Sequence, residues 1–467
     1  MLFNSASFAI AFAALLALYH LLPPARRNGL LLGASLVFYA MWIPPYLLLL
    51  LGELGVNYGL LRWMQRSRRP RRVLAASVVF SLAVLGWYKY AAFLVNGFAP
   101  LLAWIGLPEP HVPQILLPLG ISFFTFQMIA LHVDTYRGRI DPVRSFREYA
   151  LFIAFFPQLI AGPILRGAQF LPQLRAGGRI EPARSRRGAW LLAVGLAKKA
   201  LVADLLLAPY VDRVFQDAGH SSGVEHLFAI YSFAFQIYFD FSGYTDMARG
   251  LAALLGFDLP ANFHEPFLSR SPSELWRRWH ITLSTWLRDY LYIPLGGNRR
   301  GTTRTYVNLL LTMLLGGLWH GAGWTFVIWG GLHGLYLVVH RALFGSATRE
   351  DAPLRLRDAP AVLLVFHLTA GAFVFFRAAD VGDAWAVLHA TATGAYLGHW
   401  PVLQITVVGG CVVLHGLERV ARVRAGTWLP RLSGWPGALL EGALLGALGT
   451  ALALLGGSGG EFIYFQF

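Results

Sequence analysis

Residues 305–340 form a run of 36 positions without one Asp, Glu, Lys or Arg. As a single helix the run would reach ~54 Å at ~1.5 Å per residue, against a hydrocarbon core of ~30 Å. It must therefore break inside a membrane, and the break is expected where Gly316, Gly317, Gly321 and Gly323 surround His320. That puts an imidazole at membrane depth, beside backbone that packing or a cavity has to satisfy. Residues 1–24 and 28–52 are also uncharged, so the fold class is an all-α polytopic membrane protein. The first run lacks a basic start and passes straight into the second after Arg26 and Arg27, which is expected of a retained helix rather than a signal peptide.

With 56% hydrophobic and 13% charged residues, a chain of 467 residues cannot bury its apolar surface in water. The net charge of +15 does not point to nucleic acid, because Lys and Arg cluster in the short segments between apolar runs. Arg26–Arg27 and the clusters at 62–72, 137–147, 166–187 and 270–304 are expected on the cytoplasmic side. The run 29–61 should form two short helices broken at Pro44-Pro45, and 73–104 and 112–133 should cross out and back. Residues 149–165, with Pro157, Gly162 and Pro163, should form a re-entrant hairpin. The runs 188–209 and 227–257 follow, the second carrying Asp240, Asp246 and Arg249 towards protein or a water-filled cavity. Further spans are expected at 359–376, 384–417 and 434–457. The total is about eleven spanning or partly spanning segments at ~20 apolar residues per crossing, in one membrane domain over residues 1–467. The single cysteine, Cys411, lies in the uncharged run 384–417, so no intrachain disulfide or activated thiolate is expected.

Candidate chemistry concentrates in two places. Within 271–297, Trp276, Trp279, Leu283, Trp286 and Tyr290 recur at spacings of three and four, predicting one helix started by Ser271-Pro272 and ended by Gly296-Gly297. An adjoining stripe carries Arg277, His280, Ser284 and Arg288. The pattern fits an interfacial helix with a solvated basic face, or a helix whose Arg277, His280 and Arg288 attract an anionic group from the cytosol. The second place is His320, where burial would hold an imidazole neutral and able to accept a proton. A histidine hydrogen-bonded between helices is the alternative. His333 and His340 fall near one helix face and read as structural. His132 with Asp134, and His264 with Glu265, lack metal-ligand spacing, so no metal is expected. No phosphate-binding glycine loop with lysine and no Gly-x-Ser-x-Gly elbow occurs.

Six ordered segments resemble the membrane-bound O-acyltransferase family, and within it the bacterial alginate O-acetyltransferase branch. They are Pro118-Leu-Gly-Ile-Ser-Phe-Phe-Thr-Phe-Gln127, Phe156-Pro-Gln-Leu-Ile-Ala-Gly-Pro163, Asp240-Phe-Ser-Gly-Tyr-Thr-Asp246, Trp276-Arg-Arg-Trp-His280, Trp286-Leu-Arg-Asp-Tyr-Leu-Tyr-Ile-Pro-Leu-Gly-Gly-Asn-Arg299 and Leu318-Trp-His-Gly321. The resemblance runs over almost the whole chain, to residues 462–467. It implies helices ringing a thinned centre, with a tunnel joining a cytosolic donor site to an outer acceptor site. It implies catalytic roles for His320 and for a cytoplasm-facing His280, and Arg277, Ser284 and Arg288 of the stripe above are then expected to bind the donor.

The donor implied is a cytosolic thioester, acetyl-CoA, with no permanently bound cofactor. His320 would serve as general base or as a transient acyl carrier. The implied partners are the lipid bilayer of the bacterial inner membrane, a separate periplasmic acetylesterase-like protein and an exported polysaccharide such as alginate. Peptidoglycan, cellulose or teichoic acid as acceptor remains open, as does a transporter that moves a whole molecule. Asp134-Thr-Tyr-Arg137 and His264-Glu-Pro266 depart from the family's commonest forms and bear on the acceptor.

Overall fold

Proline and polar caps cut the apolar runs into helices in the computed structural model, which describes residues 3–105, 115–216, 221–345, 354–396, 400–428, 441–443, 446, 448–450 and 462–463. Among these residues every regular element is helical. The backbone packs as two compact units, residues 1–192 with 247–260, and residues 193–246 with 261–467.

The first unit opens with α1 (Ala6–Leu21), capped by Ser5 Oγ accepting from Phe8 N at 3.2 Å. Then come α2 (Pro24–Ala40) and α3 (Pro44–Arg66), each with proline in its first turn, where no helical donor is lost. The break just before Pro44 is the one the sequence predicts. A π turn at Gly86–Tyr90 joins α4 (Pro70–Leu85) to α5 (Ala91–Trp104), and α6 (Ile121–Tyr136) follows. The expected hairpin at 149–165 is two short helices, α7 (Phe146–Ala154) and α8 (Phe156–Leu159), and every residue from 149 to 165 is buried, so its broken backbone is shielded by protein. The short α9 (Gly167–Arg175), the start of α10 (Pro182–Ala197) and residues 247–260 complete the unit.

Buried polar side chains tie its helices together. Asn57 donates to Glu53 Oε2 at 2.9 Å and accepts from Ser77 Oγ at 3.1 Å and Ser81 Oγ at 3.0 Å. Ser77 Oγ is 2.5 Å from His132 Nδ1, and Tyr149 Oη is 3.3 Å from Nε2 of the same ring. The network joins α3, α4, α6 and α7, as interhelical hydrogen bonds do where water cannot compete. His132 is thereby a packing residue, while Asp134 turns to Arg139 at 3.6 Å.

In the second unit α10 continues through a π segment, Lys198–Leu207, into α11 (Ala208–Gln216). The 32-residue α12 (Gly223–Leu254) carries Asp240 and Asp246 in this unit. Neither carboxylate faces lipid: Asp240 meets Lys199 at 2.5 Å and Asp246 meets Lys198 at 2.8 Å. Lys199 also pairs with Asp204 at 2.8 Å, and Lys198 with Glu418 at 2.6 Å. Next come α13 (Pro272–Arg278), α14 (Ile281–Leu287) with a π turn at Arg288–Tyr292, α15 (Thr302–His320), α16 (Trp324–Phe344) and α17 (Ala359–Arg377). The run 384–417, expected as one span, is instead two helices, α18 (Val381–Thr393) and α19 (Val402–Trp428). Gly394 ends α18 and Pro401 precedes α19, so the missing charges in this run marked apolar surface and not continuity. Most of the expected span at 434–457 lies outside the described residues.

Among the described residues five helices are long and apolar enough to cross a bilayer: Pro44–Arg66, Pro70–Gly97, Trp324–Phe344, Leu356–Arg377 and Val402–Arg422. The chain is a multi-pass, all-α membrane protein.

Candidate active site

The 36-residue uncharged run folds as a hairpin of α15 and α16. A Cβ on Gly317 would lie 2.2 Å from Phe326 O, and one on Gly330 would lie 2.3 Å from Met313 O. Residues nearer the start of α15 meet residues further along α16, so the helices are antiparallel and their backbones touch. Only glycine permits that approach at these two positions. The break comes at Gly321–Gly323, and His320 is the last residue of α15. Its ring is 4% exposed and boxed edge-on by Trp319, Trp329 and Phe376, at centroid distances of 5.0, 5.1 and 5.3 Å.

The segment 271–297 departs from expectation. Its start is as predicted, with Ser271 Oγ accepting from Glu274 N at 3.1 Å and Pro272 in the first turn. It is not one helix, however: α13 ends at Arg278 and α14 begins at Ile281, with His280 between them at a left-handed φ of 42°. Asn262 holds this elbow. Its carbonyl accepts from Ile281 N at 2.9 Å, and its Oδ1 accepts from Thr282 N at 3.2 Å and Thr282 Oγ1 at 2.6 Å. Asn262 Nδ2 in turn donates to Thr245 Oγ1 on α12 at 3.3 Å.

The elbow overturns both the interfacial helix and the common stripe. Trp276, Trp279 and Trp286 are core residues, and His280 is fully buried rather than facing solvent on the cytoplasmic side. Its ring packs 4.7 Å from Phe241 and 6.2 Å from the ring of His320. Burial pushes the His280 imidazole down to about 3, so it is neutral at physiological pH.

The donor-side residues separate. Ser284 Oγ donates to Trp279 O at 3.0 Å and thus splints the elbow. Arg288 is 59% exposed and held by Asp289 at 2.7 Å. Arg277 lines a cavity of about 230 Å³ together with Ser273, Asn298, Leu337 and Arg341. Of the three residues expected on the donor side, the structure places Arg277 at this cavity, beside Arg341, a second arginine that nothing in the sequence marks.

Nothing in the sequence marks Asn262, Trp329 and Phe376 as neighbours of these histidines, and Phe241 stands out only as part of the segment 240–246. Asn262 lies 18 residues from His280 in sequence, and the aromatics are indistinguishable from ordinary membrane-core residues. His264 and Glu265 form no metal-type set. His264 N donates to Arg278 O at 2.9 Å, and Glu265 grips Arg422, with its shortest contact at 2.6 Å.

Residues 61–350 match the model of the membrane-bound O-acyltransferase family. A protein of Azotobacter vinelandii named "Probable alginate O-acetylase AlgI" is 43% identical over 415 residues, covering 87% of this chain and 80% of its own. The "Peptidoglycan O-acetyltransferase" of Helicobacter pylori is 38% identical, covering 83% of this chain and 79% of its own. The "Teichoic acid D-alanyltransferase" of Bacillus subtilis is 26% identical, covering 58% and 71%. The family match takes in the histidine elbow and the whole α15–α16 hairpin, and the chain belongs to the membrane-bound O-acyltransferase family as an O-acyltransferase.

Proposed function

We propose that the protein moves an acetyl group from a cytosolic thioester, acetyl-CoA, across the bacterial inner membrane for O-acetylation of an exported polysaccharide, alginate foremost. The observation that carries this is the pair of buried imidazoles, His320 and His280, with ring centroids 6.2 Å apart in an aromatic box. Such a spacing lets one small acyl group reach both rings. Relatives named for alginate and for peptidoglycan acetylation both align over most of the chain. Peptidoglycan is accordingly the second acceptor to test.

In the proposed reaction His320 is the general base. The acceptor hydroxyl gives its proton to an imidazole nitrogen as its oxygen bonds to the thioester carbonyl carbon. The tetrahedral adduct then collapses, the C–S bond breaks, and the leaving sulfur takes the proton back from the imidazolium. Neutral His280 positions the acyl group, and Arg277 meets the donor's phosphates from the cavity it lines. The first acceptor hydroxyl belongs to a separate periplasmic acetylesterase-like protein, which passes the acetyl group to the polymer.

The test is release of free thiol from acetyl-CoA when acceptor is supplied, since a transporter leaves the thioester intact. His320→Gln keeps a hydrogen-bonding side chain but cannot take up a proton at neutral pH. The variant should lose ~10²–10⁴-fold in acetyl transfer, at unchanged yield of folded, detergent-stable protein. Near-normal transfer by His320→Gln would remove the base from the mechanism.

A further inference from the structure

Helices α1 and α2 carry between them a groove of about 180 Å³, lined by apolar side chains alone. Phe8, Phe12 and Leu15 contribute from α1, and Ala34, Val37 and Met41 from α2. Phe156 of the buried hairpin lines it as well, with its ring 6.3 Å from Phe8 and from Phe12. Val37 and Met41 are 60% and 53% exposed, so the groove opens outward. In a membrane protein an apolar opening of this kind faces hydrocarbon.

Both walls continue towards the short turn that joins the helices. Steps of three and four lead from Phe8 through Phe12 and Leu15 to Tyr19, and from Met41 through Val37, Ala34 and Leu30 to Arg27. Where the two stripes meet, the Arg27 guanidinium lies 5.0 Å over the Tyr19 ring and its Nε donates to Leu22 O at 3.1 Å. Arg26 beside it is exposed, and the chain has no Asp or Glu before Glu53 to neutralise either charge nearby. The charge bias of membrane proteins puts this pair at the cytoplasmic interface. Along α2, Ala34 to Met41 lies ~10–21 Å from Arg27. One leaflet supplies ~15 Å of hydrocarbon, so a chain whose headgroup stands at the arginines reaches the groove with its distal half.

We propose that the groove holds one acyl chain of an anionic phospholipid whose phosphate is bound by Arg26 and Arg27. Size and charge select this occupant. A partner helix, ~10 Å across, needs several times the volume present. An uncharged lipid would fill the groove and leave the two arginines without an anion. The bound chain also covers Phe156, whose N–H donates to Ser35 Oγ on α2 at 3.1 Å, and so braces the buried hairpin against α2.

The test uses the full chain in detergent, stripped of lipid and offered phosphatidylglycerol, phosphatidylcholine with the same chains, or inorganic phosphate. Native mass spectrometry reads retained lipid, and the unfolding temperature is read alongside. Wild type should retain one phosphatidylglycerol at least about tenfold more tightly than phosphatidylcholine, the value of a hydrogen bond to a charged group, and should melt higher with it. Arg26→Gln should lose most of that preference. Ala11→Trp places a ring in the groove from an exposed lining position. It should melt as wild type does without lipid, yet bind both lipids about tenfold more weakly, the worth of two buried methylenes. Arg71→Gln, in the other basic cluster, should change nothing. Equal retention of the two lipids by wild type, or undiminished retention by Ala11→Trp, overturns the inference. So does a melting shift from inorganic phosphate as large as that from phosphatidylglycerol, which would leave the groove no part. A loss in Arg71→Gln equal to that in Arg26→Gln overturns it too, by reducing the effect to general attraction between basic surface and anionic lipid. No retained lipid, together with a concentration-dependent dimer that Ala11→Trp abolishes, would give the groove to a second copy of the chain instead.

Discussion

Gly330→Ala sets two effects of opposite sign against each other. In a helix interior alanine is favoured over glycine by ~0.8–1.0 kcal/mol, so propensity alone predicts stabilisation. The added Cβ, however, would lie 2.3 Å from Met313 O and 3.2 Å from the Gly317 Cα. Both are backbone atoms of α15 that cannot rotate away, so relief needs the helices to part by about 1 Å, an overpacking cost of ~1–3 kcal/mol. At the upper end of that range the net result is a loss of ~2 kcal/mol. The functional effect should be larger, because His320 follows Gly317 by three residues and moves with it. A displacement of ~1 Å at a reacting group can cost ~10²-fold. Gly371 on α17 is the control, since its Cβ would meet nothing within 4 Å. Gly371→Ala should therefore be neutral or up to ~1 kcal/mol more stable. Unfolding temperature in detergent and acetyl transfer per folded protein measure the two effects. Wild-type values for both in Gly330→Ala, or equal damage from Gly371→Ala, would refute close backbone packing as the device that places His320.

Lys199→Met should destabilise the protein by about 3–5 kcal/mol, because it leaves Asp240, 1% exposed, without its partner at 2.5 Å. Adding Asp240→Asn should restore part of the unfolding temperature, and no restoration would show that the pair is not the source of the loss. His280→Asn tolerates the left-handed backbone and isolates the ring from the elbow; it should lower the rate by about 10–100-fold, the value of a lost hydrogen bond to a charge-bearing group. Since burial holds the imidazole at about 3, His280 does not titrate between pH 5 and 8. The rate profiles of wild type and His280→Asn should run parallel across that range, and a limb present only in wild type would assign the titration to His280.

The legible parts of this molecule are those set by arithmetic along the chain. The hairpin at His320 follows from 36 uncharged residues being too long for one crossing, and the break before Pro44 and the Ser271 cap follow from local backbone chemistry. The elbow at His280 had no such signal. Trp276, Trp279, Leu283 and Trp286 keep helical spacing straight through it, and neither glycine nor proline stands at 279–280. A non-glycine residue at a left-handed φ costs ~1–3 kcal/mol and persists only where its surroundings enforce it. Here the enforcement is three hydrogen bonds that Asn262 accepts from Ile281 and Thr282, contacts across 19 and 20 residues that periodicity cannot register. Arg341 was hidden for a similar reason, since along the chain it is only the first charge after an apolar run, and only the packing of α13 against α16 brings it to the cavity of Arg277. The part of the site least visible in sequence is therefore the part that depends on strain and on distant partners. Had residues 272–292 stayed one straight helix, His280 would sit on its polar stripe with Arg277 and Arg288, and the ring now 6.2 Å from His320 would belong to the surface.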